Sequence, residues 1–300
     1  MTRAVRGRGI APALLAAALY ALNAPLSKLL LADVTPFMMA AFLYLGAGAG
    51  LAGVGLARRL TGRAPGELPL TRAELPFTLL MVALDTLAPV LLMLGLARTD
   101  AASAALLSNF EIVATALLAL CFFGERIPPR LWLAVALMTA ASILLSLRGG
   151  GRLRFSSGSL LILAACACWG LENNCTRRLS AKDPLEIVVV KGFGSGAGAL
   201  LLGLLLGECL PAARYAAAAL LLGFVAYGLS IYFYVYAQRA LGAARTSAFY
   251  AVAPFLGAGL SFLLCGEKPG PLFLAALPLM LAGAYFASWP AGARRRGGRG

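Results

Sequence analysis

Two acidic side chains lie deep within apolar segments of the sequence, where a charged group is unfavourable. Asp85 is the eleventh residue of the segment Leu75–Ala97. Glu111 is the eleventh residue of the segment Ala101–Phe123. At 1.5 Å of rise per residue, each carboxyl would lie roughly 15 Å from a helix end, near the middle of a bilayer. An ionisable group at that depth costs at least ~2.5 kcal/mol on insertion scales, and it commonly belongs to a proton relay or a ligand site. The alternative is a structural carboxyl that is hydrogen-bonded to a neighbouring helix.

Two prolines lie four residues after polar side chains. Pro89 lacks the N–H group that would otherwise bond the carbonyl of Asp85. Pro254 stands in the same relation to Tyr250. Each position would therefore offer a polar side chain and a free carbonyl to a substrate or proton pathway, unless the proline only kinks a helix for packing.

A second set of polar residues lies nearer one end of its segments. Glu172 lies about five residues from the end of the sixth apolar segment, and Lys191 lies about seven residues into the seventh. Their depths match within a helical turn, so we expect a salt bridge that could act as a gate on the cytoplasmic side. Asn23 and Asn173 add amide groups to the same half, with hydrogen bonds between helices as the alternative role.

The composition indicates a membrane protein and excludes several classes of enzyme. Of 300 residues, 61% are hydrophobic and 13% are charged, against roughly 25% charged in soluble domains. The chain contains no histidine, which excludes catalytic histidine dyads, haem ligation by histidine and the commonest zinc sites. The six cysteines lack the paired spacing of a metal site. We therefore expect no metal and no cofactor.

Ten apolar segments reach the length that crosses a bilayer. Unpaired backbone amides are unfavourable in lipid, so these segments are expected to be helices. The predicted fold is an all-α polytopic membrane protein with ten transmembrane helices, and nine or eleven spans are the alternatives. The segments are Ile10–Leu31, Pro36–Ala57, Leu75–Ala97, Ala101–Phe123, Leu131–Leu147, Ser159–Thr176, Pro184–Leu206, Tyr215–Ala237, Thr246–Cys265 and Pro271–Trp289.

The basic residues predict the orientation of these helices. The net charge is +14, but the lysines and arginines lie in short loops and at the termini, which indicates topology and not nucleic-acid binding. Leaving out Lys191, which lies within a segment, eighteen basic residues fall on the side of the N-terminus and seven on the opposite side. This bias predicts that both termini are cytoplasmic.

The sequence also repeats itself. Gly-Glu-Arg at 124–126 follows the fourth segment, and Gly-Glu-Lys at 266–268 follows the ninth, at an offset of 142 residues. Tyr-Ala-Leu-Asn at 20–23 corresponds to Trp-Gly-Leu-Glu at 169–172. Two five-helix units result, and because five is odd, the second must enter the membrane from the other side.

The inverted repeat predicts where a substrate would bind. The units span residues 10–147 and 158–289, and a substrate site is expected between them near the midplane. The offset of 142 places Tyr227 opposite Asp85. We expect one cavity to be lined by Asp85, Glu111, Tyr227 and Tyr250.

These repeats resemble the EamA-type branch of the drug/metabolite transporter superfamily. The resemblance rests on the aromatic-(Gly/Ala)-Leu pattern near the end of each first helix and on Gly-Glu-(Arg/Lys) after each fourth helix, and it covers roughly residues 10–289. It implies a ten-helix carrier of the cytoplasmic, or inner, membrane with amino acids, other metabolites or drugs as substrates. Many relatives carry an arginine where this chain has Leu43, whereas Lys191 supplies a basic residue at the matching place in the second unit.

The predicted function is secondary active transport of a small metabolite by alternating access. An amino acid or related amine is favoured, with export favoured by family analogy. The sequence has no Gly-x-x-x-x-Gly-Lys-Ser/Thr loop, so gradients or exchange must drive transport. The alternatives are a drug or other metabolite carrier, an intramembrane enzyme with paired carboxylates and a passive channel; the inverted repeat argues against an enzyme. The expected partners are the substrate and the lipid bilayer, without nucleic acid, and a homodimer is left open.

Overall fold

The chain folds almost entirely into helices. The computed structural model describes residues 3–62, 68–123, 129–148, 154–179, 182–241 and 249–288. Its α-helices are α1 Arg3–Ala21, α2 Asn23–Leu30, α3 Pro36–Leu60, α4 Leu75–Leu96, α5 Ala101–Leu107, α6 Phe110–Phe123, α7 Pro129–Ser146, α8 Ser157–Leu179, α9 Pro184–Leu205, α10 Ala213–Leu222, α11 Ser230–Leu241, α12 Ala253–Leu264 and α13 Pro271–Ser288.

Three short elements connect these helices. A single 3-10 turn, Arg72–Glu74, leads into α4, and a π-helical segment, Gly223–Leu229, joins α10 to α11. Strand β1, Leu147–Arg148, pairs antiparallel with β2, Arg154–Phe155. The all-α prediction therefore needs one small addition, a two-stranded hairpin in the loop between α7 and α8.

Seven helical segments of the described residues are long and apolar enough to cross a membrane, which makes this a multi-pass membrane protein. They are Gly9–Leu30, Pro36–Leu60, Arg72–Leu96, Ala101–Phe122, Pro129–Ser146, Pro184–Leu205 and Ala213–Tyr234. Ala253–Leu264 and Pro271–Ala287 are shorter apolar helices. By length and apolarity, the described residues thus contain seven candidate spans, and the count of ten stays a prediction. The predicted sixth span, α8, is 23 residues long but carries Glu172 and two asparagines.

Several predicted spans are interrupted helices. The first is broken at Leu22, between α1 and α2, because Pro25 cannot bond the carbonyl of Ala21 four residues earlier. The fourth is broken at Ser108 and Asn109, between α5 and α6. There the Ser108 hydroxyl bonds the Ala104 carbonyl, a local bond that competes with the helix.

The closest packing joins helices from the two halves of the chain. Helix α3 packs mainly against α9, α4 against α8, α7 against α13, and α1 against α11. The buried core accordingly draws on both halves. The halves share one interior, and neither encloses a core of its own.

The crossing of α3 and α9 is the tightest of these contacts. A Cβ atom built on Gly192 would lie 2.5 Å from the Cα of Gly48, and one on Gly48 would lie 2.9 Å from the backbone nitrogen of Phe193. Only glycine allows two helix backbones this close. Lys191 is thereby held at the line where the two halves meet.

Candidate functional site

A buried cluster of charges lies where α4, α8 and α9 meet. The Lys191 Nζ is 2.9 Å from Asp85 Oδ2 and 3.0 Å from Glu172 Oε1. The three side chains are 12%, 0% and 3% exposed, respectively. The salt bridge expected between Glu172 and Lys191 is therefore present, and Asp85 belongs to the same cluster.

Hydroxyl groups fix both carboxylates of the cluster. Tyr44 on α3 donates a hydrogen bond to Asp85 Oδ1 at 3.2 Å. Thr176, one turn after Glu172 on α8, donates to the Glu172 carboxylate. Each carboxylate thus accepts a hydrogen bond from one hydroxyl and lies within ion-pair distance of the shared Lys191 ammonium, the pairing that makes buried charges tolerable.

Glu111 occupies a separate polar position beside this cluster. Because the fourth predicted span is broken, Glu111 lies in the first turn of α6, where the helix dipole favours a carboxylate. Asn173 donates to Glu111 Oε1 at 2.6 Å and lies 3.3 Å from the Thr115 hydroxyl. The break explains how an acid is accommodated at this depth.

One residue from each half forms a neutral counterpart to the charged cluster. The repeats match Asn23 with Glu172 at an offset of 149 residues and Asp85 with Tyr227 at an offset of 142. Asn23 Nδ2 donates to the Tyr227 hydroxyl at 3.2 Å, and both residues are buried. Asn23 thus contacts Tyr227 directly, whereas the matching acids Glu172 and Asp85 are joined through the Lys191 ammonium.

Aromatic rings surround the neutral pair. The Tyr227 ring lies 5.2 Å from that of Tyr44 and 5.9 Å from that of Tyr20, measured between centroids. Tyr20 in turn lies 5.8 Å from Tyr250, whose hydroxyl is 3.3 Å from that of Ser230. Tyr44 joins the two groups, since its hydroxyl contacts Asp85 while its ring contacts Tyr227.

Tyr227 owes its position to the π-helical segment of the eighth predicted span. A π-turn is rare and is often found at functional sites. Here it packs directly on α3, because a Cβ atom on Gly223 would lie against the Leu43 carbonyl, well inside van der Waals contact. Leu43, which matches Lys191 at an offset of 148 residues, therefore presents its backbone to this segment.

A small cavity of about 20 Å³ lies beside the neutral pair, large enough for roughly one water molecule. Asn23 and Pro254 are among its lining residues. Asp85, Glu111, Tyr227 and Tyr250 were predicted to line one cavity, but they are not among these lining residues and lie in the packed contacts described above. The other lining residues are Tyr20, Ala21, Ala24, Leu92, Leu96, Ala104, Ala105, Ser108, Ala253 and Gly257.

The two prolines differ in their surroundings. Pro89 is buried inside α4, as expected. Pro254 was expected inside a continuous helix, which is wrong, because residues 251–252 form a turn and Pro254 lies in the first turn of α12. A proline fits there without loss of a helix bond. Pro254 therefore does not free the Tyr250 carbonyl by interrupting a helix, as the sequence had predicted.

The Gly-Glu-Lys motif at 266–268 joins α12 to α5. Gly266 has φ 65° and ends α12 in the left-handed conformation that glycine adopts readily. The Glu267 carboxylate then accepts hydrogen bonds from the backbone N–H groups of Ala101 and Ala102, at 2.7 and 2.9 Å. In the described structure the motif therefore caps a helix in the other half.

An open vestibule of about 620 Å³ lies next to this cap. Lys28, Arg98, Asp100 and Glu267 contribute charged groups to its lining. The Lys28 ammonium also donates to the Leu96 and Thr99 carbonyls, both at 2.6 Å. Of these residues, the sequence singles out only Glu267, as part of the Gly-Glu-Lys motif.

The charged cluster predicts strong coupling between Glu172 and Lys191. We expect Lys191→Met to lower the thermal unfolding midpoint strongly, because it leaves two buried carboxylates without a cation. Glu172→Gln should change the midpoint only slightly, since Lys191 still forms its ion pair with Asp85. In the double variant the coupling free energy should amount to about 0.5–3 kcal/mol. Additive shifts in the midpoint of the detergent-purified protein would contradict the coupling.

Comparison with known proteins identifies the family. The EamA-like transporter family model matches residues 7–147 and 156–289. An uncharacterized transporter of Methanothermobacter thermautotrophicus is 25% identical over 296 residues, covering 90% of this chain and 83% of that protein. A probable terminal-alkyne amino-acid exporter of Streptantibioticus cattleyicolor is 29% identical over 281 residues, covering 83% and 88%. One crystal structure is similar in fold, with a TM-score of 0.66 at 22% identity over all of both chains. The chain belongs to the EamA-like transporter family.

Proposed function

We propose that this protein is a secondary active transporter that moves an amino acid or related amine across the cytoplasmic membrane by alternating access. Ten spans form two inverted five-helix repeats, residues 10–147 and 158–289, with both termini in the cytoplasm. The substrate's ammonium group binds at Asp85, and export is the favoured direction. Glu172 and Lys191 with Asn23 and Asn173 close the cytoplasmic half of the path.

The pattern of helix contacts supports the inverted repeat. By the repeat, α1 corresponds to α8 and α11 corresponds to α4. The contact of α1 with α11 therefore has its counterpart in the contact of α8 with α4, and both contacts are extensive. The contacts of α3 with α9 and of α7 with α13 each join matching helices. The two ranges of the family match, 7–147 and 156–289, also fall on the two proposed units.

The balance of charge in the buried cluster is the main support for an ammonium-bearing substrate. Asp85 and Glu172 share one ammonium, and among the described residues Lys191 is the only cation within ion-pair distance of either carboxylate. The cluster is thus short of one positive charge when both acids are ionised. A substrate ammonium would supply that charge and three hydrogen-bond donors.

The named relative is consistent with this substrate class. The Streptantibioticus protein is called a probable terminal-alkyne amino-acid exporter, and an amino acid carries the ammonium group that the cluster requires. A cationic drug without a primary amine would satisfy the charge but not the hydrogen bonds. The proposal therefore favours amino acids over such drugs.

Growth tolerance tests the proposed substrate class. Cells that overproduce the protein are expected to tolerate toxic amino acids, such as propargylglycine, and toxic amines better than cells with an empty vector. The matched compounds are N-acetylated forms, which lack the ammonium and should receive no protection. Equal protection against free and acetylated compounds would contradict recognition of the ammonium. Protection against quaternary cationic drugs alone would favour the drug carrier.

A further inference from the structure

The position of the Lys191 ammonium is the one that a substrate ammonium would need. Its Nζ lies 2.9 Å from Asp85 Oδ2 and 3.0 Å from Glu172 Oε1. A lysine ammonium and the primary ammonium of a substrate offer the same charge and the same three donors. Lys191 and a substrate amine would therefore compete for Asp85.

We propose that Lys191 is a tethered substitute for the substrate's ammonium group. In the empty carrier it binds Asp85 and Glu172 together. When an ammonium-bearing substrate enters, the substrate takes Asp85 and Lys191 stays on Glu172. This role rests on the proposed function. It explains how the empty carrier could return between its inward-open and outward-open states.

The balance of charge shows why Lys191 would matter in the empty carrier. In the loaded carrier two carboxylates are matched by two ammonium groups, so every charge is paired. In the empty carrier Lys191 spans both carboxylates, which keeps either from being left alone in a dry interior. The empty carrier can therefore return, and the protein catalyses net transport as well as exchange.

The geometry at the α3–α9 crossing fits such a role. Lys191 precedes Gly192, whose backbone touches Gly48 of the other half. The lysine therefore starts at the contact between the halves and reaches carboxylates on two further helices, α4 and α8. Motion of one half against the other would change its distance to Asp85 and Glu172.

The test compares net efflux with exchange in liposomes that contain the purified full-length protein. The probe is tritiated propargylglycine, loaded inside, with either no amino acid or excess unlabelled propargylglycine outside. For Lys191→Met, net efflux is expected to fall about a hundredfold, the ratio that corresponds to burying one uncompensated charge. Exchange should fall much less than net efflux, because the substrate brings an ammonium for Asp85 in both directions and only Glu172 is left unpaired.

A second variant guards against misfolding of the first. Glu172→Gln combined with Lys191→Met leaves Asp85 as the single carboxylate of the cluster and should show the same selective loss of net efflux. Lys182→Met is the matched control, since Lys182 pairs with Glu74 at 3.3 Å outside the cluster. It should leave both rates unchanged.

Three results would overturn the inference. If folded Lys191 variants lost exchange and net efflux equally, Lys191 would have only a structural role. If they kept net efflux, no tethered ammonium would be needed. If instead the wild type showed neither activity, the proposed substrate class would fail, and this role of Lys191 would fail with it.

Discussion

An Asp85→Asn variant is expected to reach the membrane in folded form and to bind its substrate poorly. Removing this carboxylate leaves Lys191 and Glu172 as a balanced pair at 3.0 Å, so the fold loses little. The substrate loses its charged partner, a contact worth about 1.5–3 kcal/mol, and its affinity should fall by ~10–100-fold. Substrate titration in a liposome uptake assay measures this loss, alongside the melting midpoint.

The control for this variant is an exposed aspartate. Asp33 lies in the loop after α2 and is exposed, so Asp33→Asn should leave both transport and stability unchanged. An Asp85→Asn protein with full affinity would assign Asp85 a purely structural role. An unfolded Asp85→Asn protein would contradict the balance of charge described for the cluster.

The largest effect on folding is expected from a single methyl group at Gly46. A Cβ atom there would lie against the Leu220 carbonyl oxygen, well inside van der Waals contact. The obstacle is backbone and cannot rotate away, so Gly46→Ala should cost about 1–3 kcal/mol or more. The yield and melting midpoint of detergent-purified protein should both fall.

Gly53 on the same helix provides the matched substitution. Nothing lies within 4 Å of a Cβ atom built there, and alanine favours a helix over glycine by about 1 kcal/mol. Gly53→Ala should therefore be neutral or slightly stabilising. Equal midpoints for the two alanine variants would show that α3 and α10 do not approach as described.

The sequence predicts much of the helical framework because long apolar runs admit few structures in lipid. It does not predict where those helices break. The effect of Pro25 on the bond to Ala21 follows from local chemistry and could have been anticipated. The break at Asn109 has no proline to signal it, and it depends on packing among segments far apart in the chain.

The charged residues of the site could be found from sequence, but their grouping could not. Counting helix positions placed Lys191 nearer one face than Asp85, as part of a separate gate. The lysine side chain reaches across that difference in depth, so its ammonium contacts Asp85 as well. Tyr44 was missed because a lone aromatic residue in an apolar segment carries no special signal.

The role of the repeated Gly-Glu motif was equally hidden in the sequence. Its recurrence was evident, but Glu267 acts on Ala101, 166 positions away in the chain. A capping partner at that distance is set by tertiary structure alone. The sequence thus shows the motif only as a repeated pattern. Its role as a helix cap becomes visible only in the fold.

The vestibule near Glu267 has a kinetic consequence. Its charged lining holds two cations, Lys28 and Arg98, and two anions, Asp100 and Glu267. The two positive and two negative charges sum to zero, and salt screens any remaining field beyond a Debye length of about 8 Å at physiological ionic strength. This surface opening should therefore attract neither cations nor anions over long distances, and the rate at which charged molecules reach it should depend little on ionic strength.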